Sequence, residues 1–532
     1  MDDDQIRLLI ENIDDGNTEF DEIDGSDEEG VDEVEYISHN SDSEQSLDDD
    51  YEDNGTYLFS NWLNRPQFIG KDDSILEQIV TYTNIYLDRI RPMFDRSRDA
   101  RPTSLTEIKA LIGLLYLAGV HQSSHVNIKD LWAMDGTGIE FFRLSMGMNR
   151  FYLLLRAIRF DDITTRAMRQ SVDNLAPVRS FFEDFVRRCQ DCYELNNYVT
   201  IDEMLESFRG RCRFRQYIPN KPAKYGLKII ALVDSNTYYS YNLEIYAGKQ
   251  PNGPYHINNS ACSVVERLIR PISGSGRNIT CDNWISSIPL AEVLLSNHNL
   301  TMVGTLRKNK REIPPIFVQK LKERLNESSI FGFKKDMTLV SYKPKANKIV
   351  LVISTMHNDD SIDTDCARSK PEMIKFYNST KGGVDTVDQM KGKYSVSRNS
   401  RRWPLTIFFS VLNIAGINSQ IIYASRTNAK IVRREYLKCL SKALIYKYML
   451  ERVQIKNIPM NIKVRIREIT NAIKEPVQKT SNSLGRCAFC NWKKTEKHRI
   501  CVTSANHIYV KNIQRLRFAK TVHNRRWKMI SF

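Results

Sequence analysis

From residue 57 to about 198 the apolar positions recur every three to four residues, the spacing of helices that bury one face. "SLTEIKALIGLLYLAGV" (104–120) begins with Ser104 and Glu107, a capping-box pair ahead of an apolar run. "NRFYLLLRAIRF" and "VRSFFEDFVRRCQDCYEL" repeat the amphipathic pattern. Near residue 198 the period shortens. "NYVTID", "YGLKIIALVD", "YYSYNLEIYAG" and "RNITCDNW" are β-branched and aromatic runs broken by Gly, Pro and Asn, and they predict strands. A short helix, "IPLAEVLLSNHN", and another strand, "LTMVGTL", follow. Residues 307–370 are basic and mixed in pattern, and little regular structure is expected there. Helices return over about 383–475, ahead of a polar linker, "KEPVQKTSNSLG".

Trp403 to Ser425 contains no Asp, Glu, Lys or Arg. Its six polar residues, from Thr406 through Gln420, would be penalised in hydrocarbon, so a helix buried inside a domain is expected rather than a membrane span.

Charge changes the picture more than composition does. The 532-residue chain has a net charge of +13, yet residues 1–54 hold 23 acidic residues and one basic residue, Arg7. An acidic head on a basic body fits a polyanion-binding protein whose tail mimics the ligand, or a plain solubilising tail. The head is too polar to fold alone. Ser26, Ser41 and Ser46 each precede an acidic residue by three places, a pattern an acidophilic kinase reads. The start of the chain does not resemble a secretory signal, so reduced or metal-bound thiols are expected. Cys189 and Cys192 form a CxxC with no partner ligands nearby, which is read as chance spacing.

Asp202 closes "YVTID" and Asp282 closes "NITCD", each at the end of an apolar run that predicts a strand. "KGGVDTVDQM" (381–390) adds a third acidic segment at the start of a helix. Three carboxylates from separated segments can cradle two hard divalent cations, which stabilise attacking and leaving oxygens in phosphodiester chemistry. Arg209, Arg211, Arg213 and Arg215 alternate after the first of these strands, and alternation on a strand would put all four on one face, suited to phosphates. Lys221, Lys224 and Lys228 extend the charge. "RRWP" joins Arg401 and Arg402 to Trp403, a combination for phosphates and an unstacked base, although Trp403 equally suits a core position.

The tail "RCAFCNWKKTEKHRIC" spaces Cys487, Cys490, His498 and Cys501 as C-x2-C-x7-H-x2-C, which can close one tetrahedral zinc site. Its lysines and arginines also suit nuclear import.

"VTIDEMLESFRGRCRFRQYIPNKPAKYGLKI" (199–229), "TCDNWISSIPLAEVL" (280–294), "YNSTKGGVDTVDQM" (377–390) and "RRWPLTIFFSVLNIAGINSQIIY" (401–423), with "DNLAPVRSFFEDF" (173–185) upstream, resemble piggyBac-type transposases in order and spacing. The resemblance covers roughly residues 57–475. It implies an α/β fold, with a ribonuclease H-like catalytic core that carries an insertion. Flanking it are a discontinuous all-α dimerisation and DNA-binding domain, an acidic disordered N-terminus and a small Cys/His zinc-type C-terminal segment. The implied boundaries are 1–56 for the tail, 57–198 and 395–475 for the helical domain, and 199–306 and 371–394 for the core. The insertion takes 307–370, the linker 476–486 and the Cys/His segment 487–532.

By the same resemblance Asp202, Asp282 and Asp385 form an Asp-Asp-Asp triad holding two Mg²⁺ ions, with Mn²⁺ as a substitute. The two glycines before Asp385 would let the backbone come close to the core. Asp388, one turn further on, would act behind the ligands, on the DNA side or structurally. The family tail is longer and binds two zincs; Ser504 stands where a further cysteine is expected, so one zinc is expected here. The implied activity is cut-and-paste transposition by a nuclear homodimer that recognises terminal inverted repeats and inserts at TTAA. A domesticated DNA-binding protein without cleavage is the alternative.

Overall fold

The computed structural model describes residues 73–219, 221–318, 324–363 and 369–470, and the backbone of two short paired strands, Ile500–Val502 and Ile508–Val510. The acidic head with Ser26, Ser41 and Ser46, the 476–486 linker, and Cys487, Cys490 and His498 lie outside the described residues, and of Cys501 only the backbone is described.

The four longest of the described helices ahead of the sheet are α1 (Ser74–Ile90), α2 (Leu105–Val120), α3 (Met148–Ala157) and α4 (Arg179–Asp191). Ser104 caps α2 as its sequence predicts, its hydroxyl accepting from the Glu107 amide at 3.2 Å. The second half of the capping box does not form. The Glu107 carboxylate instead turns inward to Arg101, Arg150, Tyr448 and Thr103, because two guanidinium groups outcompete one backbone amide.

A nine-stranded sheet follows: β1 (Tyr198–Ser207), β2 (Gln216–Tyr217), β3 (Tyr225–Asp234), β4 (Ser240–Ile245), β5 (Asn278–Cys281), β6 (Thr301–Thr305), β7 (Ser328–Lys334), β8 (Met337–Lys345) and β9 (Lys348–Ser354). The order is β2-β3-β1-β5-β6-β9-β8-β7, with β4 also on β3. Strands β1, β5 and β6 are parallel, and the other pairings are antiparallel. Residues 307–370 thus depart from expectation: three of the nine strands lie there and extend the main sheet as a meander. Their turns, Lys335–Asp336 and Ala346–Asn347, contain no Gly or Pro to mark them, and edge lysines dilute the alternation.

The sheet is covered on both faces. Val199, Ile201, Ile230, Leu232 and Ile279 pack with α5 (Ala261–Ile269) and α6 (Ile288–His298). On the other face Met204, Ala231 and Val233 join a core with Val384 and Val387. That face carries α7 (Glu372–Thr380), α8 (Gly383–Lys393) and α9 (Trp403–Thr427), while α10 (Arg433–Val453) packs on α2 and α9. Helix α9 contains the charge-free run, and Leu405, Ile407, Phe408, Phe409 and Ile414 on it are buried. By length and composition alone it is apolar enough to cross a membrane, yet it is mostly enclosed by protein. Its polar residues have partners: the Asn418 side chain bonds the amide and the carbonyl of Ser240 on β4 (3.0 and 2.8 Å). Asn413 likewise accepts from the Val396 amide at 3.0 Å.

Candidate active site

Strand register places the first two carboxylates. Parallel pairing of β1 with β5 ends at Ile201 opposite Cys281, so Asp202 on β1 and Asp282, the first residue past β5, come next side by side. Contrary to the sequence reading, Asp202 does not end its strand; β1 continues to Ser207 against β3, and only the pairing with β5 stops. Two residues earlier on each strand, and so on the same face, lie Thr200 and Thr280. Both hydroxyls bond Thr380 at the end of α7: Thr200 donates to its carbonyl (2.6 Å), and Thr280 meets its hydroxyl (2.7 Å). This buried threonine cluster fixes the α7–α8 junction on the sheet directly below the two aspartates.

Gly383 is needed at that junction. A Cβ there would lie 2.6 Å from the Thr200 hydroxyl oxygen and 3.0 Å from its Cβ, whereas one on Gly382 would have nothing nearer than 3.9 Å. Close approach therefore rests on the second glycine alone. Two residues on, Asp385 leaves α8 on the same side as Asp202, with 67% of its side chain exposed.

The pair is strained electrostatically. Burial, then the charges of Asp282 and Asp385, push the Asp202 carboxyl well above the usual range. Asp282 is raised by burial and by Glu203, against the pull of the Trp284 and Ile285 amides. One oxygen of each is committed, Asp202 to the Glu203 amide (2.7 Å) and Asp282 to Trp284 and Ile285 (3.0 and 3.1 Å). The second oxygen of each has no hydrogen bond among the described residues. Oxygen-only donors, desolvated and mutually repelling, suit a hard divalent cation. Among the described residues, however, no three His, Cys, Asp or Glu side chains converge tightly enough to enclose one ion. Asp385 stands toward Lys221, whose ammonium lies 3.3 Å from its Oδ1 and 2.9 Å from the Glu203 carbonyl. Burial would lower the Lys221 pKa, but Asp202, Asp385, Asp388 and Glu203 raise it. Lys221 thus supplies the positive charge beside Asp385 that a metal ion would otherwise supply.

Asp388 is bonded to a different partner. It bonds Lys391 at 2.8 Å, and Lys391, almost fully buried, also pairs with Glu206 of β1. Glu206 accepts from Ser410 of α9 at 2.8 Å, so the network ties α8 to both β1 and α9.

The basic candidates divide. Arg209, Arg211, Arg213 and Arg215 are exposed but lie on a loop, since β1 ends at Ser207; Phe208 before them and Phe214 between the last two are buried. Lys224 is exposed, and Lys221 is drawn into the carboxylates. Arg401 is exposed, and Arg402 instead donates to the carbonyls of Arg156 and Ile158 at the end of α3 (2.7 and 2.8 Å). Trp403 packs edge-on against Phe214 (5.0 Å, 78°), which brings the arginine loop beside the start of α9. Lys228, also basic in sequence, is buried, 3.4 Å from Glu203 and over the Trp284 ring. Sequence reasoning missed the threonine cluster and the inward turn of Lys221. The repeated Thr-x-Asp in "VTID" and "ITCD" is the signal that could have revealed the former, since residues two apart share a strand face.

Two acidic positions beside the parallel strands thus lie under a third carboxylate borne on a helix, in a basic chain. Residues 67–420 match the sequence model of a family described as Transposase IS4. The chain belongs to this family of transposases and is of the piggyBac type. It is 24% identical over 362 residues to the human PiggyBac transposable element-derived protein 3, and 22% identical over 325 residues to human PiggyBac transposable element-derived protein 2. These alignments cover 64% and 58% of the chain, and the chain spans 58% and 54% of the relatives' lengths. Its fold is similar to that of a piggyBac transposase in a synaptic complex with hairpin DNA (TM-score 0.73, 35% identity, 85% of this chain and 94% of that one).

Proposed function

We propose that the chain is an active cut-and-paste DNA transposase in which Asp202, Asp282 and Asp385 form the catalytic triad. The observation that carries this reading is the pair of desolvated aspartates at one level of two parallel strands, with Asp385 presented from above by a helix pinned to the same face. A structural pair would be neutralised within the fold, as Glu107 is. The order β4-β3-β1-β5-β6, with β3 alone antiparallel to both its neighbours, supports a ribonuclease H-like core, with 307–370 as its insertion.

When bound, two Mg²⁺ ions would activate water and stabilise the charge on the phosphate and leaving oxygen. Asp202 and Asp282 would hold the ions on the sheet, and Asp385 would close the site from α8. In the first step, water forms a P–O bond and the transposon strand leaves as a 3′-hydroxyl. That hydroxyl then attacks the opposite strand, releasing the flanking DNA and leaving a hairpin on the element. The exposed arginines at 209, 211, 213, 215 and 401, with Lys224, would hold phosphates of duplex DNA. A homodimer acting on inverted repeats and TTAA targets in the nucleus, and one zinc in the tail, complete the reading.

The test is excision from a plasmid carrying the element's ends. Asp202→Asn, Asp282→Asn and Asp385→Asn should each lower excision by roughly a thousandfold or more while retaining DNA binding, which comes from other residues. Excision at the unsubstituted rate by any one variant would remove that residue from the triad. DNA binding by the unsubstituted protein without any excision would favour the domesticated alternative.

A further inference from the structure

The hairpin that carries Lys221 into the carboxylates has a second face that the triad does not use. From Phe208 to Tyr225 it contains four arginines, Lys221 and Lys224, and no acidic residue. Beside β2 it leaves two aromatic rings in water, Tyr217 at 56% and Tyr225 at 43% exposure. These rings touch, with centroids 4.8 Å apart at 42°. The Arg215 guanidinium stands 5.4 Å from the Tyr225 ring and donates to the carbonyls of Arg209 and Gly210 (3.2 and 3.0 Å), which orient it. Arg209, Arg215, Lys224 and Tyr225 line a cleft of about 580 Å³ there, within the range of about 300–1,000 Å³ that takes small organic groups.

We propose that this cleft binds an unpaired nucleotide of the DNA strand being cut, its base stacked on Tyr225, which Tyr217 backs, and its phosphate held by Arg209 and Lys224. A ring with a guanidinium beside it and cations around it matches the two parts of a nucleotide, a π-face and an anion. Position supports the same occupant. Lys224 lies three residues from Lys221, so at most about 11 Å of chain separates the cleft from the residue that touches Asp385. That is about three nucleotide steps along one strand. A transposase that turns a strand end back on its partner has to unpair bases next to the phosphate it cuts, and the cleft lies within that reach. The inference rests on the transposase reading above, and its occupant is commoner in forked than in fully paired DNA.

The test compares two synthetic DNAs, a duplex of about 30 base pairs and the same duplex with a short single-stranded flap carrying 2-aminopurine. The full chain should bind the flap DNA at least about fivefold more tightly, the effect of stacking one base, and should quench the 2-aminopurine. The Tyr217→Ala/Tyr225→Ala double variant should lose the preference and the quenching and keep its duplex affinity. Tyr217→Phe/Tyr225→Phe, which keeps both rings, should behave as the unsubstituted chain. Retained preference in the alanine variant, loss in the phenylalanine variant, or no preference in the unsubstituted protein would overturn the inference. Failure to bind either DNA would overturn the transposase reading as well.

Discussion

Two acidic centres in this molecule, one buried and one half-buried, have opposite electrostatics. In the helical region Glu107, on α2, accepts from Arg101 (2.7 Å), from Arg150 through two nitrogens (3.0 and 2.6 Å), from Tyr448 (2.7 Å) and from Thr103 (2.9 Å). On the sheet, Asp202 and Asp282 each have one oxygen on backbone amides and, among the described residues, no cation bonded to either. Burial pushes up all three carboxyls. For Glu107 the Arg150 and Arg101 pairings prevail and hold it below its ordinary value, whereas for the aspartates neighbouring carboxylates add to the rise. A fold that can saturate one buried acid with two arginines has left two others open, and openness at one place marks the site that needs an external cation.

The largest expected effect on stability is at the saturated centre. Glu107→Ala leaves Arg150, whose side chain is only 11% exposed, without its carboxylate, and removing one partner of a buried ion pair costs about 3–5 kcal/mol. The depressed pKa also fixes the sign of the pH effect. Glu107 contributes stability that is present above its unfolded value of 4.5 and is lost as pH falls through its lower folded value. Glu107→Gln should therefore flatten the acid limb of a thermal-melt profile. An unchanged limb would show that the arginines do not act through this carboxylate.

Next comes the junction between the open centre and the helix above it. Gly383→Ala inserts a Cβ 2.6 Å from the Thr200 hydroxyl oxygen, and overpacking of this kind costs about 1–3 kcal/mol. Gly382→Ala should be nearly neutral, its nearest neighbour being 3.9 Å away. Equal melting temperatures for the two variants would mean that α8 is free to rise from the sheet.

The difference between the two centres also marks how far the sequence could be read. The placement of Asp202 and Asp282 beside apolar strands, and of Asp385 at a helix start, was legible because each sits in a local pattern that survives without knowledge of the fold. The capped α2 and buried α9 were legible for a related reason, a long apolar run with its own start signal. Glu107 was read as half of a capping box because its true partners, Arg150 and Tyr448, are 43 and 341 residues away. Arg402 and Lys221 look like any surface cation until tertiary packing turns one onto helix-end carbonyls and the other onto Asp385. Strands β7 to β9 stayed hidden because edge lysines interrupt their alternation and no Gly or Pro marks the turns between them. Long-range charge pairing and edge-strand recruitment leave no periodic trace.

At the open centre the expected shift is smaller and of opposite sign. A raised carboxyl contributes stability that is present below its unfolded value of 3.8 and lost as pH rises through its folded value, so at neutral pH the ionised pair weakens the fold. Asp202→Asn should raise the melting temperature at neutral pH in metal-free buffer. Mn²⁺ should raise that of the unsubstituted protein and leave the Asp202→Asn variant unmoved, since a ligand stabilises only the state that binds it. A melting temperature lowered by the substitution would place Asp202 with Glu107, as a structural acid.

The smallest effect tests the cation that lies against Asp385. The Lys221 ammonium meets an Asp385 side chain that is 67% exposed, so water screens the pair from that side and it is worth at most about 1 kcal/mol. Lys221→Met removes the competing positive charge without emptying the space its aliphatic stem fills. Mn²⁺ affinity, measured by titration calorimetry on the full chain, should tighten about three- to fivefold, the equivalent of that energy. Lys221→Arg, which keeps the charge, should not tighten it. If Lys221→Met instead weakens Mn²⁺ binding, the lysine's role is to orient Asp385 for the metal. If the affinity is unchanged, the ammonium neutralises nothing that the metal needs, and the two acidic centres differ by more than one lysine's charge.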